Sequence, residues 1–266
     1  MIKQITFSMA MAALLPITGY AEESKKIQDN SFLIEEAYNQ EAGVVQHIQS
    51  MAYDRRTKDW FYNFTQEWPF PDETHQLSYT IPLTRLKAPG NTGIGDVMLN
   101  YRYQAISSER VAFAPRLSLI LPIGDYKKEM GTGAAGLQVN LPLSVELTDK
   151  WVTHFNLGTT YTPRSRESGG ARANTTGTNV GASLIYLLSD NFNLMLEVVQ
   201  IKTELVQPDG SKQREKQTLL SPGFRYAINY DSGLQVVSGL ALPYGAGSSS
   251  GDQSVLLYLS LEHPFK

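Results

Sequence analysis

From about Val44 onward, apolar and polar residues alternate along the chain in runs of roughly ten residues, a length that crosses a bilayer when the strand is tilted. A period of two predicts β-strands, and residues that favour turns separate the runs. We predict strands over residues 44–53, 60–68, 75–86, 94–105, 110–121, 136–147, 151–162, 178–188, 192–204, 217–229, 233–244 and 253–263. Because their number is even, both ends of the strand region return to the same side of the sheet.

The connections between these runs differ in length in a regular way. Short connections are predicted at residues 106–109, 148–150, 189–191 and 230–232, and long polar ones at 122–134, 163–176, 205–213 and 245–252. Short periplasmic turns and long extracellular loops are typical of bacterial outer-membrane barrels. The predicted fold class is therefore all-β, a transmembrane up-and-down antiparallel β-barrel of about 12 strands.

The polar face of each run predicts which residues point into the barrel. In the fourth run Leu99, Tyr101 and Tyr103 share one face, and polar side chains share the other. An arginine that faced lipid at mid-depth would cost about 2–4 kcal/mol, so the polar faces are expected inside. The residues predicted to line the lumen are Asn100, Arg102, Gln104, Arg116, Asn140, Glu146, His154, Asn156, Glu197 and Arg225.

Two interpretations of these inward charges stay open. They form either a constriction that selects solutes by charge, or an internal network of arginines and glutamates that fills a narrow barrel. Eight strands leave room for side chains only, whereas 16–18 strands leave an aqueous channel, and twelve lie between these limits.

Four prolines conflict with a regular barrel wall. Pro82, Pro115, Pro142 and Pro222 all fall within predicted strands, where each removes one ladder hydrogen bond. They indicate either bulges and breaks in the wall or errors in the predicted registers.

The chain divides into three parts. Residues 1–21 are predicted to be a signal peptide, with Lys3 before an apolar stretch and a cleavage site after Ala21. Residues 22–43 are polar apart from Phe32-Leu33-Ile34, and they are either a periplasmic segment or a plug inside the barrel. Residues 44–266 form the predicted barrel. A signal peptide favours the bacterial outer membrane as the location, and no later apolar run is long enough for a spanning helix.

Composition offers little chemistry. The chain has no cysteine, which excludes zinc–thiolate sites, and its net charge of −3 does not indicate nucleic-acid binding. The glycine-rich residues 124–136 lack the Gly-Lys-Ser/Thr ending of a phosphate-binding loop. We therefore expect no cofactor, no metal and no catalytic residues. A barrel lipid hydrolase would need a serine beside a histidine, and for His154 that serine would have to come from a neighbouring strand.

Several stretches resemble a known family. They are GIGDVMLNYRYQ at residues 93–104, LILPIGDY at 119–126, GTG at 131–133 and the leader DNSFLIEEAYNQE at 29–41. They resemble the outer-membrane β-barrels of the MetA-pathway of phenol degradation, a family also described as transporters. This resemblance covers most of the mature chain and implies a role in the uptake of small, including aromatic, compounds.

Three functions are therefore considered. The first is an outer-membrane channel for passive or facilitated passage of small molecules, including hydrophobic or aromatic ones. The second is a structural or adhesive surface barrel that transports nothing, and the third is the lipid hydrolase. The expected partners are the small-molecule solute, the barrel-insertion machinery, membrane lipid and lipopolysaccharide. Basic loop residues could meet lipopolysaccharide phosphates or simply be solvated; they are Arg55, Arg56, Lys58, Arg164, Arg166 and Arg172.

Overall fold

A computed structural model describes residues 29–265 of the chain. The predicted signal peptide and residues 22–28 lie outside the described residues, as does Lys266. The seventeen strand segments are β1 (Val44–Asp54), β2 (Trp60–Pro69), β3 (His75–Arg85), β4 (Thr92–Ile94), β5 (Val97–Tyr103), β6 (Ile106–Ser107), β7 (Val111–Phe113), β8 (Arg116–Leu121), β9 (Gly136–Asn140), β10 (Leu143–Thr148), β11 (Trp151–Arg166), β12 (Arg172–Ser189), β13 (Phe192–Val206), β14 (Lys212–Asn229), β15 (Gln235–Ala241), β16 (Tyr244–Gly245) and β17 (Ser254–Pro264). No helix within residues 29–265 is long and apolar enough to cross a membrane.

These segments form one closed antiparallel barrel of 12 wall strands, which confirms the predicted fold class. The first strand, β1, pairs with β2 on one side and with the last strand, β17, on the other, so the sheet has no free edge. Four of the wall strands are interrupted and consist of β4–β6, β7–β8, β9–β10 and β15–β16. Closure of this kind satisfies every wall strand on both sides.

The exterior of the barrel is apolar. In β5, Leu99 and Tyr101 are 46% and 40% exposed, whereas the alternating residues Asn100 and Arg102 are only 7% and 2% exposed. The same alternation continues in β13, where Leu194, Leu196 and Val198 are all exposed. This is the reverse of a soluble antiparallel sheet, and it suits a barrel whose outside faces lipid.

Aromatic rings collect at both ends of the exterior. Near the short turns the His75 ring stacks on Tyr101 and lies tilted against Tyr103, and Phe192 contacts Tyr226. At the opposite end three exposed rings stand beside the longer connections, namely Trp60, Tyr161 and Tyr244. Amphipathic rings of this kind favour the two headgroup layers of a bilayer.

Two of the prolines interrupt their own wall strand. Pro115 lies between β7 and β8, and Pro142 lies between β9 and β10. The two breaks are adjacent, because the Ala114 N–H donates to the Pro142 carbonyl at 3.2 Å. The missing proline N–H groups explain why neither wall strand is continuous here.

The other two prolines lie opposite a break in the neighbouring strand. Pro82 is inside β3, and its carbonyl accepts the Gly95 N–H at 2.8 Å where β4 ends and β5 has not begun. Pro222 is inside β14, and its carbonyl accepts the Leu242 N–H at 3.0 Å between β15 and β16. The prolines therefore mark short breaks in an otherwise closed wall.

Two predicted long loops are largely strand instead. β11 extends to Arg166 and β12 begins at Arg172, so only residues 167–171 of the predicted loop 163–176 connect the two strands. β13 and β14 likewise leave only residues 207–211 of the predicted loop 205–213. Apart from Leu205 and Val206 these extensions are mostly polar and show no sustained apolar alternation, which is why the sequence pattern did not reveal them.

The longest connection, residues 122–135, is fixed to the wall by one carboxylate. Asp96 lies in the break between β4 and β5. Its oxygens accept the N–H groups of Gly124 at 3.1 Å and Thr132 at 2.7 Å, and the Thr132 hydroxyl at 2.8 Å. A bond to a charged acceptor contributes about 1.5–3 kcal/mol.

We expect Asp96→Ala to free this loop while the wall stays closed. Amide hydrogen exchange over residues 122–135 should accelerate. The exchange rate of Asp96→Asn should lie between those of Asp96→Ala and the native protein, because the asparagine amide keeps one acceptor oxygen. Unchanged exchange in Asp96→Ala would show that the loop is held by other contacts.

Candidate pore and its luminal segment

Residues 29–43 are here called the luminal segment. Residues 29–40 lie inside the barrel, and the exposed residues 41–43 join them to β1. The hydrogen-bond partners of residues 29–40 are on strands all around the wall, which only an internal position allows. Ala42 at one end of the segment donates its N–H to Glu73 in the turn between β2 and β3, while Asp29 at the other end accepts from Gln46 in β1. Both described ends of the segment therefore lie toward the short-turn end of the barrel.

Arg102 binds residues 36–39, here called the descending part of this segment. Its Nε donates to Asn39 Oδ1 at 2.9 Å, its Nη1 donates to the Glu36 carbonyl at 3.3 Å, and its Nη2 donates to the Tyr38 carbonyl. Gln104 adds two bonds, from its Nε2 to the Ala37 carbonyl and from the Asn39 N–H to its Oε1, both 2.8 Å. Wall side chains thus satisfy backbone groups that have no strand or helix partner.

Arg225 binds the other part of the segment. Its Nη1 donates to the carbonyls of Asp29 at 2.6 Å and Asn30 at 3.0 Å, and the arginine is only 1% exposed. The Asp29 carboxylate also accepts from Tyr258 and Gln46. Burial raises the pKa of Asp29 above its ordinary value, although the Arg225 charge partly opposes that rise.

The apex of the segment is held by Glu197 and Asn156. Glu197 Oε1 accepts the N–H groups of Leu33 at 2.7 Å and Ile34 at 3.2 Å. Asn156 forms a pair of bonds with the Glu35 backbone, accepting from its N–H at 2.9 Å and donating to its carbonyl at 2.7 Å.

The Glu35 side chain ends among three donors from the wall. Its Oε2 accepts from Arg116 Nε at 3.0 Å and Asn140 Nδ2 at 2.8 Å, and its Oε1 accepts from Arg102 Nη1 at 3.4 Å. Burial alone would raise the pKa of Glu35, but the charges of Arg116 and Arg102 outweigh it and hold the pKa below the ordinary value. Glu35 is therefore ionised at neutral pH.

Three wall glycines make room for the apolar side chains of the segment. A Cβ atom at Gly239 would lie 2.4 Å from Phe32 Cε1, and one at Gly223 would lie 2.7 Å from Phe32 Cε2. A Cβ at Gly181 would lie 2.4 Å from Ile34 Cδ1. Glycine inside a strand is the sequence signal for such a close approach, and the sequence interpretation did not use it.

Part of the inner wall is apolar, contrary to the expectation of a uniformly hydrophilic interior. Phe32 and Leu33 pack against a buried cluster on β1, β14, β15 and β17, and the Phe32 ring centroid lies 5.5 Å from that of Tyr258. The cluster comprises Ile48, Ala227, Val237, Ala241, Leu256 and Tyr258. Small and apolar side chains inside these strands leave the space that the segment fills.

A hydroxyl does lie within reach of His154. Ser144 Oγ is 2.7 Å from His154 Nδ1, and it also accepts the Ala37 N–H at 2.8 Å. Ser144 and His154 are 0% and 2% exposed. The pair meets the distance that a nucleophile and base require, but the luminal segment covers it.

Two of the residues predicted to line the lumen remain, Asn100 and Glu146. Asn100 is buried and accepts from Arg116 Nη1 at 2.9 Å. Glu146 is half-buried near the short turns, where its backbone N–H donates to the Arg110 carbonyl at 2.8 Å. Among residues 29–265, no three histidine, aspartate or glutamate side chains converge to hold a metal ion.

The sequence profile of one family, described as "Putative MetA-pathway of phenol degradation", matches residues 28–246. The chain belongs to this family. The match begins at residue 28, so it includes the luminal segment as well as most of the barrel. No curated protein matches the chain significantly in sequence.

Solved structures with the same fold are outer-membrane barrels. The COG4313 outer membrane channel from Pseudomonas putida F1 is 15% identical with a TM-score of 0.62, and the match covers 86% of this chain and 98% of that one. The NanC porin and the KdgM porin are each 8% identical, with TM-scores of 0.55 and 0.52, and each match covers 83% of this chain and 99% of the other. At these identities the likeness is one of fold.

Above the luminal segment this member of the phenol-degradation family has a large cavity. Its volume is about 950 Å³, and it lies toward the end with the longer connections. Leu33, Glu35 and Arg116 line its inner end, while threonines of β11 and β12 and the apolar Val199 and Ile201 line its sides. A solute that entered from this end would meet the apex of the luminal segment.

Proposed function

We propose that the protein is a channel through which small molecules, including hydrophobic or aromatic ones, diffuse across the bacterial outer membrane. One observation carries the proposal: a separate segment, and not wall side chains alone, fills the interior beneath an open cavity of about 950 Å³. Because this filling is separate from the wall strands, its displacement would leave a path through the barrel.

The way in which the segment is held favours movement. Backbone N–H groups along it bond to wall side chains. Each such bond contributes about 0.5–1.5 kcal/mol net, or about 1.5–3 kcal/mol where the wall group is charged. Water can replace these partners when the segment moves, whereas the ladders of the wall are independent of it. Displacement of residues 29–43 therefore opens the interior without unfolding the barrel.

The comparisons support the channel and its class of solute. The structures of similar fold are described as porins and as an outer membrane channel. The family description names phenol degradation, which points to aromatic compounds as solutes. The inward residues predicted from sequence would then set size and charge preference, and the connections above the cavity would control access.

Location and partners belong to the same proposal. A signal peptide at residues 1–21 would export the chain, and the barrel-insertion machinery would place it in the outer membrane. The exposed Arg164 and Arg172 stand at the tip of the β11–β12 hairpin, where lipopolysaccharide phosphates are available.

Flux through the purified protein tests this function. Proteoliposomes should take up small aromatic and small polar solutes faster than protein-free liposomes, and planar bilayers should show current. Absence of both flux and current would favour the structural or adhesive barrel instead.

We also propose that the protein is not an enzyme and that Ser144 positions the luminal segment. Ser144→Ala removes the acceptor of the buried Ala37 N–H, which costs about 1–3 kcal/mol. We expect faster hydrogen exchange around Ala37 and unchanged hydrolysis of a p-nitrophenyl ester, at the level of the buffer. Ester hydrolysis that disappeared in Ser144→Ala would instead establish the hydrolase.

A further inference from the structure

The site that holds the Glu35 carboxylate is built by the wall. Its donors are Arg102 on β5, Arg116 on β8 and Asn140 on β9, and only the acceptor belongs to the luminal segment. Arg102 and Asn140 are 2% and 4% exposed. All three donors therefore remain with the wall when the segment moves.

Neutral groups keep Arg116 oriented without Glu35. Its Nη1 donates to Asn100 Oδ1 at 2.9 Å and to Ser118 Oγ at 2.6 Å, and its Nη2 donates to Gln138 Oε1 at 3.0 Å. These bonds use the two terminal nitrogens and leave Nε for the carboxylate. A guanidinium fixed by neutral acceptors retains its full positive charge, so it attracts an anion strongly in this enclosed place.

A solute can reach this site from outside. Glu35, Arg116 and Asn140 all line the cavity of about 950 Å³, and Leu33 and Val199 stand beside them. Charged donors next to apolar side chains suit a molecule that carries one carboxylate on an apolar body.

We propose that this site binds the carboxylate of a passing organic acid, which takes the place of the Glu35 side chain and thereby weakens the hold on the luminal segment. The inference rests on the proposed channel function and specifies its solute: small monocarboxylates with an aromatic or aliphatic body. Glu35 acts as the resident competitor, so the segment yields most readily to molecules that carry the same group.

Binding of 4-fluorobenzoate, followed by its fluorine NMR signal with the full protein in nanodiscs, tests the proposal. Glu35→Ala empties the site, so we expect at least about tenfold tighter binding than in the native protein, equivalent to about 1.4 kcal/mol. The neutral 4-fluorobenzamide should show no such gain. Glu167→Ala is the matched control, since the Glu167 carboxylate lines the same cavity but accepts from the Gly169 and Ala171 N–H groups of its own turn.

Arg116→Gln in the Glu35→Ala background should abolish the gain. Glu35→Gln keeps the side-chain volume but competes less strongly because it is neutral, so it should show a smaller gain in the same direction if the alanine variant folds poorly. In the native protein, 4-fluorobenzoate should speed hydrogen exchange of residues 33–37, and 4-fluorobenzamide should not. Equal binding of acid and amide, or no gain in either Glu35 variant, would overturn the carboxylate site. Solute flux that shows no preference for carboxylates would also overturn the carboxylate site, while leaving the channel function intact.

Discussion

Gly239→Ala will displace Phe32 and loosen the luminal segment. The new Cβ would lie 2.4 Å from Phe32 Cε1 and 2.5 Å from its Cζ, closer than any real contact, and the strand on which Gly239 lies cannot retreat because β14 and β17 flank it. Overpacking of this kind costs about 1–3 kcal/mol, which would weaken segment binding by a factor of about 5–150. Single-channel conductance and solute flux should both rise.

Two variants make this prediction specific. Gly177→Ala is the matched control, because the nearest atom to its Cβ lies at an ordinary 3.6 Å, and it should conduct like the native protein. Phe32→Ala combined with Gly239→Ala removes the clash but also the ring, so the segment should stay loose. A Gly239→Ala protein with native conductance and native exchange of residues 29–43 would show that the ring and the glycine do not determine the position of the segment.

Arg102→Ala will release the descending part of the luminal segment. The substitution leaves the buried Glu36 carbonyl, the half-buried Tyr38 carbonyl and the Asn39 side chain without their donor. It also removes one of the two charges beside Glu35. Loss of such a buried, charged donor costs about 2–5 kcal/mol. We expect hydrogen exchange at residues 36–40 to approach that of an unbound peptide and conductance to increase.

Lysine cannot replace this arginine. An ammonium group lacks the planar fork that reaches three acceptors at once, so Arg102→Lys should resemble Arg102→Ala more than the native protein. Arg172→Ala, which removes an exposed charge at the β11–β12 tip, is the control and should change neither readout. If Arg102→Ala kept native exchange at residues 36–40, the arginine would not be holding the segment.

The barrel could be predicted from sequence because its signal is local. Alternation along one run, as at Leu99, Asn100 and Arg102, reports which face meets lipid without any knowledge of the rest of the fold. The four prolines were also visible, but whether they marked breaks or errors depended on the neighbouring strand. Pro82, for instance, is explained by Gly95 on β4–β5 and not by anything in its own strand.

The luminal segment could not be placed from sequence because its contacts join residues far apart in the chain. Glu35 is hydrogen-bonded to Asn140, and Leu33 to Glu197, and no periodic pattern encodes contacts between residues so far apart in the sequence. The polar residues 22–43 were compatible with a tail or a plug for this reason. The interior glycines were the one available signal, since Gly223 and Gly239 weaken a strand unless another group needs their space.

The central claim is that residues 29–43 occupy the pathway and must move for solutes to pass. The Ser31 and Ser183 hydroxyls lie 2.9 Å apart, and the chain has no cysteine, so Ser31→Cys with Ser183→Cys offers a single reversible crosslink between segment and wall. Flux and conductance of this double variant should be low when it is oxidised and should rise on reduction, while the Ser183→Cys single variant should not respond to reductant. Equal flux in the oxidised and reduced double variant, with the crosslink verified by mass spectrometry, would contradict the account.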